Sequence, residues 1–212
     1  MSRVFMGQRL IFYPCQWVAN AISTAKLMFM PAPWPIRKLV QWKFKRTSRK
    51  KGDAQIREHM QAYVDLLGGL TDEQACHGFQ VGKMLGVDED MRGWSLCEII
   101  EHNTIVNHAL KARVLSLLTG EMPDEYANFD VKKDVMPGLG EEFRKANVDQ
   151  FVESVEGYLD SISSFENLKT ERTAEHPVFG TFNAHQFHIM FGFHLGLHLN
   201  QANAVVAAVR GA

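Results

Sequence analysis

Two histidines, His194 and His198, lie four residues apart in the sequence FHLGLHLNQ near the end of the chain. In an α-helix, side chains at this spacing project from one face, about one turn apart. The rest of that face follows the spacing of a core stripe: Phe187, Phe191, Gln201, Val205 and Ala208. Because buried imidazoles need polar partners, this helix must pack against elements that supply them. The partner is either a shared metal ion or a hydrogen-bonding neighbour for each ring.

A third histidine, His102, belongs to a second segment of this kind. That segment opens with Ser95, and Glu98 follows three positions later, which is the capping-box spacing and predicts a helix with Ser95 as its N-cap. His102 then shares an apolar face with Ile99, Val106, Leu110 and Val114. Three histidines from two helices predict a site with three protein ligands, the arrangement that leaves a coordination position open in catalytic zinc sites.

The remaining chain reads as helices and loops. Helical spacing runs from Ile56 until Gly68 and Gly69, after a linker-like charged run over 46–52, and a heptad-like stripe predicts a further helix over about 141–166. Thr71 and Asn183 have the chemistry of helix N-caps, and 120–140 reads as a long loop. No alternating strand pattern is evident. The prediction is an all-α protein, a four-helix bundle over 53–212 with an N-terminal extension over 1–52.

The stretch from about residue 54 to residue 208 resembles the DinB-like superfamily of small metal-binding four-helix bundles. The resemblance is carried by Trp94-Ser95 with His102 eight positions after Trp94, and by HPVFGTFNAHQFHIMFGFHLGLHLNQ, which contains H-x-x-x-H-x-x-Q. It is nearest to a poorly characterised subgroup with an HP-x-FG turn before the last helix. The resemblance implies that His102, His194 and His198 coordinate a divalent metal ion. Zinc, nickel, iron and manganese all remain candidates, since three imidazoles suit several of them.

Two functional classes follow. Better-known relatives include thiol-dependent transferases and isomerases, so the chain is expected to be a metal-dependent enzyme acting on a small-molecule or thiol substrate. In that case the metal activates water or a low-molecular-weight thiol, Glu98 is the candidate catalytic proton shuttle, and the loop 120–140 is the candidate substrate entrance. The alternative is a non-catalytic, metal-stabilised binding module whose N-terminal arm contacts a membrane or a partner.

Charge is distributed very unevenly along the chain. Residues 1–52 hold eleven of the 23 Lys and Arg and no Asp or Glu, which leaves twelve basic against 24 acidic residues in the rest. A formal +11 segment therefore precedes a −12 body, while the whole chain has a net charge of only −1. Such an arm is attracted to its own acidic body or to an anionic partner.

The arm also contains Trp17, Trp34 and Trp42. We expect it to dock mainly on the bundle and bury part of its aromatic set. Binding to an anionic membrane surface, nucleic-acid binding and a signal peptide are progressively less favoured alternatives. A transmembrane helix is disfavoured because prolines and Lys26 interrupt the apolar stretch. The expected location is the cytoplasm, with membrane association as an alternative. For the oligomeric state, a homodimer is an alternative to a monomer.

Other histidines and the cysteines receive simpler interpretations. His185 is expected to be solvated or to cap the last helix, His188 to lie at the flank of the metal site, and His176 to stabilise a turn. The three cysteines, Cys15, Cys76 and Cys97, have neither C-x-x-C spacing nor an even count, so no zinc knuckle or disulfide framework is indicated. Cys97 is expected to be a small core hydrophobe.

Overall fold

The computed structural model describes residues 32–130, 133–138 and 145–211. Its helices and strands, in chain order, are α1 Trp34–Arg46, α2 Arg49–Gly68, α3 Asp72–Cys76, a 3-10 turn Asp90–Gly93, α4 Leu96–Thr119, α5 Asp124–Ala127, α6 Lys145–Ser163, β1 Thr173–His176, β2 Gly180–Asn183 and α7 Ala184–Gly211. No described helix is long and apolar enough to cross a membrane.

The predicted starts of α3, α4 and α7 are confirmed by their caps. The Ser95 hydroxyl accepts a hydrogen bond from the Glu98 backbone N–H, and the Glu98 carboxylate accepts one from the Ser95 N–H. Thr71 and Gln74 form the same reciprocal pair at α3. At α7 the Asn183 side chain accepts from the Gln186 N–H at 3.0 Å. Each start is determined by residues within one turn, which is why local sequence reveals it.

The four long helices α2, α4, α6 and α7 pack into a bundle. Helix α7 contacts α2 and α4, and α6 contacts the same two helices from the other side. Their inward faces form one apolar core that includes Ile56, Tyr63, Ile99, Val114, Phe151, Val155, Tyr158, Ile162, Phe191, Leu195 and Val205. The predicted all-α four-helix bundle is confirmed.

Polar bonds inside this core tie the helices together. The Tyr63 hydroxyl of α2 donates to the Leu195 carbonyl of α7 at 3.0 Å and accepts from Asn103 Nδ2 of α4 at 3.1 Å. Asn107 Nδ2 of α4 donates to Ser154 Oγ of α6 at 2.9 Å. Because a buried polar group left without a partner costs free energy, these bonds favour one register between the helices over its alternatives.

The charged run over 46–52 is not a linker, and that prediction is wrong. Helix α2 begins at Arg49, with the Ser48 hydroxyl accepting from the Lys51 N–H, so it crosses the predicted boundary between residues 52 and 53. Gly52 lies inside this helix, at a point where α7 packs closely against it. A Cβ at Gly52 would lie 2.7 Å from both His188 Nε2 and Ile189 Cδ1, so the position has no room for a side chain.

A small hairpin precedes the last helix, where the sequence indicated only a turn. Strands β1 and β2 pair antiparallel, with His176 opposite Gly180, whose φ is +79°. The turn itself is confirmed, since His176 Nδ1 accepts from the Val178 and Phe179 N–H groups at 3.2 and 3.3 Å. Strands of four residues are too short for alternation to distinguish them from loop.

Helix α1, which belongs to the arm predicted to dock, lies against the bundle, while residues 1–31 of that arm lie outside the described part of the chain. Its Phe44 is buried, with its ring centroid 5.6 Å from that of Phe182 and 5.5 Å from that of Phe193. Gln41 Nε2 donates to the Phe179 carbonyl at 2.8 Å. The two tryptophans of α1 remain exposed, and Trp17 lies outside the described residues.

Candidate metal centre

His102 of α4 and the pair His194 and His198 of α7 meet inside the bundle. Each offers one ligand nitrogen, and the three nitrogens lie within 4.8 Å of one another. The ring centroids are 5.4 Å apart for His102 and His194, 4.6 Å for His102 and His198, and 4.7 Å for His194 and His198. His102 and His198 are buried and His194 is half-buried. The three predicted metal ligands are therefore brought together.

A backbone carbonyl determines which His102 nitrogen is free. His102 Nδ1 lies 2.7 Å from the Val135 carbonyl oxygen, which can only accept a hydrogen bond. Nδ1 must therefore carry the proton, so the lone pair of the neutral ring is on Nε2. That Nε2 atom is buried and has no hydrogen-bond partner. A donated hydrogen bond from the second ring nitrogen is the usual support for a metal-binding histidine.

A side-chain amide plays the same part for His198. Gln201 Nε2 donates to the Met91 carbonyl at 2.6 Å, so its Oε1 must be the atom that lies 2.9 Å from His198 Nδ1. Nδ1 of His198 is consequently the protonated nitrogen, and Nε2 carries the lone pair. The glutamine of the H-x-x-x-H-x-x-Q pattern thus orients the second histidine of that pattern.

Burial keeps these imidazoles uncharged. Burial, with a smaller contribution from the neighbouring His198, lowers the pKa of His102 to about 3. Burial also lowers the pKa of His198, and it lowers the pKa of His194 well below the ordinary value, with His198 and His102 adding to the effect. Since the neutral form of imidazole is the ligand, all three rings are available to a metal ion at neutral pH.

The donor set fits a divalent metal ion. Two buried nitrogens, His102 Nε2 and His194 Nδ1, have no hydrogen-bond partner. Neighbouring groups form a hydrogen bond with only one ring nitrogen of His102 and one of His198. The simpler alternative, a separate hydrogen bond for each ring, therefore leaves the two buried nitrogens without partners. Three neutral imidazoles from two packed helices are the ligands that zinc and other first-row divalent ions accept.

Residues 133–138, within the stretch 120–140 predicted as a loop, border this cluster. Besides the Val135 carbonyl at His102, the Gly138 N–H donates to Glu101 Oε2 at 3.1 Å, which holds the loop against α4. Trp94 is buried beside the site, with its ring centroid 5.1 Å from that of His102. These contacts limit the access of water to the rings from the α4 side.

Glu98 is held at the N-terminus of α4, one turn before His102. Its Oε2 accepts hydrogen bonds from both the backbone N–H and the hydroxyl of Ser95, each at 2.8 Å. The capping box accounts for the position of this carboxylate. A role for Glu98 in proton transfer stays a prediction.

The other histidines have structural partners. His185 is buried, not solvated. Its Nε2 donates to the Thr47 carbonyl at 2.9 Å, where α1 meets α2. His188 is buried away from the three ligands: its Nδ1 lies 2.9 Å from the Tyr158 hydroxyl, and its Nε2 lies 3.3 Å from Asp53 Oδ1. The partners of both histidines lie outside α7, at the junction of α1 and α2 and on α2 and α6. A helical wheel of α7 alone therefore does not predict these contacts.

Two cysteines are neighbours, although their spacing in sequence gave no sign of it. Cys76 Sγ at the end of α3 lies 3.2 Å from Cys97 Sγ in the first turn of α4, and both are free thiols. Cys97 is buried, as expected for a core hydrophobe, and its pKa is raised by burial and by the contact with Cys76.

A four-helix bundle with a three-histidine cluster between α4 and α7 defines a class of small metal-binding proteins. The family model of the DinB superfamily matches residues 55–202, and this chain belongs to that superfamily. Comparison with curated proteins gave no match, and neither did comparison with solved structures. The match begins within α2, so α1 lies outside the part of the chain that the family model covers.

Replacing Gln201 with Ala should weaken the metal centre without removing a ligand. Loss of the amide frees the His198 ring to rotate, and we expect metal affinity to fall about 10- to 100-fold. The Met91 carbonyl and His198 Nδ1 lose their partners, which should lower the free energy of unfolding by about 1–3 kcal/mol. Competition with a metal-binding dye measures the affinity. Asn203→Ala on the exposed face of α7 is the matched control, and equal affinities of the two variants would contradict the assignment.

Proposed function

We propose that the protein is a metal-dependent enzyme whose divalent ion is bound by His102, His194 and His198. The observation that carries the proposal is the cluster of three neutral imidazoles with ligand nitrogens within 4.8 Å of one another. A divalent ion with three protein ligands keeps an open position and acts there as a Lewis acid, lowering the pKa of a water or a thiol. The supported chemistry is hydrolysis or thiol transfer on a small molecule.

The chain's own groups prepare the site for this chemistry. The Val135 carbonyl and the Gln201 amide hold His102 and His198 in one tautomer and one orientation, so less reorganisation is needed when the ion binds. Trp94 and the Val135 carbonyl cover His102 on the α4 side. We propose that substrate enters along the stretch 120–140 predicted as a loop, since its residues 133–138 contact both His102 and Glu101.

We also propose that Glu98 accepts a proton near the cluster, from its place one turn before His102. Glu98→Gln separates this role from helix capping, because Gln at this position can keep the capping box while losing the titratable carboxylate. With Co²⁺ as a spectroscopic probe, the variant should retain wild-type melting temperature and metal content but shift the pH midpoint of the visible spectrum. A midpoint identical to the wild type would leave Glu98 a capping residue only.

The Co²⁺-loaded protein also tests the enzyme proposal as a whole. If the open position is accessible, adding a small thiol should produce a sulfur-to-cobalt charge-transfer band, or raising the pH through neutrality should change the visible spectrum. The same titrations on Asn203→Ala provide the control for a substitution away from the site. A spectrum that responds to neither thiol nor pH would contradict the proposal.

The second candidate is a non-catalytic, metal-stabilised binding module. It is favoured by one observation: the Glu98 carboxylate, one turn before His102, has its Oε2 atom engaged by Ser95. This candidate predicts metal binding with no response of the Co²⁺ spectrum to either thiol or pH. The two candidates therefore differ in the same experiment.

A further inference from the structure

Helix α1 presents a face that is both apolar and basic. Its large exposed side chains and their exposed fractions are Trp34 70%, Ile36 49%, Leu39 62% and Trp42 54%. The helix carries five cations and no carboxylate: Arg37, Lys38, Lys43, Lys45 and Arg46. Within the described part of the chain nothing covers this face, while the opposite side of the helix is anchored through Phe44.

We propose that α1 is a docking surface for an anionic lipid bilayer. Helices that lie in the membrane interface combine Trp and aliphatic residues, which enter the headgroup and acyl boundary, with Lys and Arg that pair with anionic headgroups. Both features are present on α1 over thirteen residues. The Arg46 guanidinium also stacks on the Trp42 ring, with Cζ 4.8 Å from the ring centroid, so a cation and an indole are presented together.

Charge favours lipid over a second copy of the chain. A symmetric contact between two α1 helices would place the four exposed cations of one copy, Lys38, Lys43, Lys45 and Arg46, against those of the other without an intervening carboxylate. An anionic bilayer neutralises the same charges, at about 1 kcal/mol for each Lys or Arg near its surface. The basic surface also continues beyond α1, because Lys50 and Lys51 in the first turn of α2 are exposed and no acidic residue precedes Asp53.

A groove beside α1 extends this surface. It has a volume of about 410 Å³ and lies between α1, α2 and α7, with Lys43 and Lys51 among its lining residues. Phe44 and Phe193 supply apolar lining, and Glu58 is its carboxylate. A phosphate headgroup near the lysines with an acyl segment against the phenylalanines matches this lining. Lys43 belongs to both the groove and the exposed face, which places the two next to each other.

Vesicle co-sedimentation of the full chain tests the proposal. We expect binding to vesicles of phosphatidylcholine with phosphatidylserine, little binding to phosphatidylcholine alone, and loss of binding as salt increases. Lys38→Gln, Lys43→Gln and Lys45→Gln together should weaken binding by roughly fivefold for each charge removed. Trp34→Ala with Trp42→Ala should weaken it by about tenfold or more.

The controls separate this surface from other causes. Lys83→Gln with Leu85→Ala removes one exposed cation and one exposed apolar side chain elsewhere and should leave binding unchanged. Melting temperatures must match the wild type in all variants, which the exposure of these side chains predicts. Binding retained by both α1 variants would overturn the proposal in favour of residues 1–31. A dimer abolished by the tryptophan variant would overturn it in favour of a second copy. Tighter α1-dependent binding to an oligonucleotide would identify nucleic acid as the partner.

Discussion

Protein purified without an affinity tag should contain about one divalent ion per chain, and His198→Ala should contain less than about a tenth of that. His198 supplies one of three ligand nitrogens that lie within 4.8 Å of one another. Removing it leaves two ligands, and the affinity of a two-imidazole site is too low to survive purification. Elemental analysis of both proteins, with protein concentration from amino-acid analysis, measures the ratio. The same measurement identifies the metal.

The comparison needs variants that separate ligand loss from unfolding. His108→Ala changes an exposed histidine on α4, the helix that carries His102, and should keep the full metal content. His194→Ala and His102→Ala should both lose the ion, as His198→Ala does. Circular dichroism must show wild-type helix content for each of them. Full metal content in all three ligand variants would mean that the ion is bound elsewhere.

Removing the ion from the wild-type protein should lower its melting temperature by roughly 10 °C. An ion that binds only the folded state at a concentration about 1,000 times its dissociation constant stabilises that state by about 4 kcal/mol. For a domain of this size each kcal/mol corresponds to a shift of about 2–4 °C. Differential scanning calorimetry with and without a chelator measures the shift, and adding the ion back should reverse it.

His102→Ala with His194→Ala provides the control for the chelator itself. This double variant has no site to empty, so its melting temperature should not depend on chelator. An equal decrease in both proteins would mean that the chelator acts on something other than the cluster. An unchanged melting temperature after complete demetallation of the wild type would contradict a well-formed site in the bundle core.

The ligand histidines of the metal centre could be predicted from the sequence, but not all of the groups that orient them. His102, His194 and His198 were predictable because helical periodicity places them on buried faces of two helices, and a buried face of one helix must meet that of another. The groups that orient their rings were not all predictable. Gln201 lies one turn after His198 on the same face, whereas the Val135 carbonyl comes from a loop 33 residues after His102. Backbone carbonyls carry no signature in the sequence.

The sequence by itself determined where α3, α4 and α7 begin and which faces of α4 and α7 carry the buried histidine cluster. Ser95, Thr71 and Asn183 act within one turn of their own helices, so no distant residue is needed to predict them. Tertiary structure alone decided the contacts across elements. It placed His185 against Thr47 and Cys76 against Cys97, and it packed α7 closely against Gly52 of α2. Such contacts depend on how elements approach one another in space, and that approach reflects the packing of the whole core rather than any local pattern.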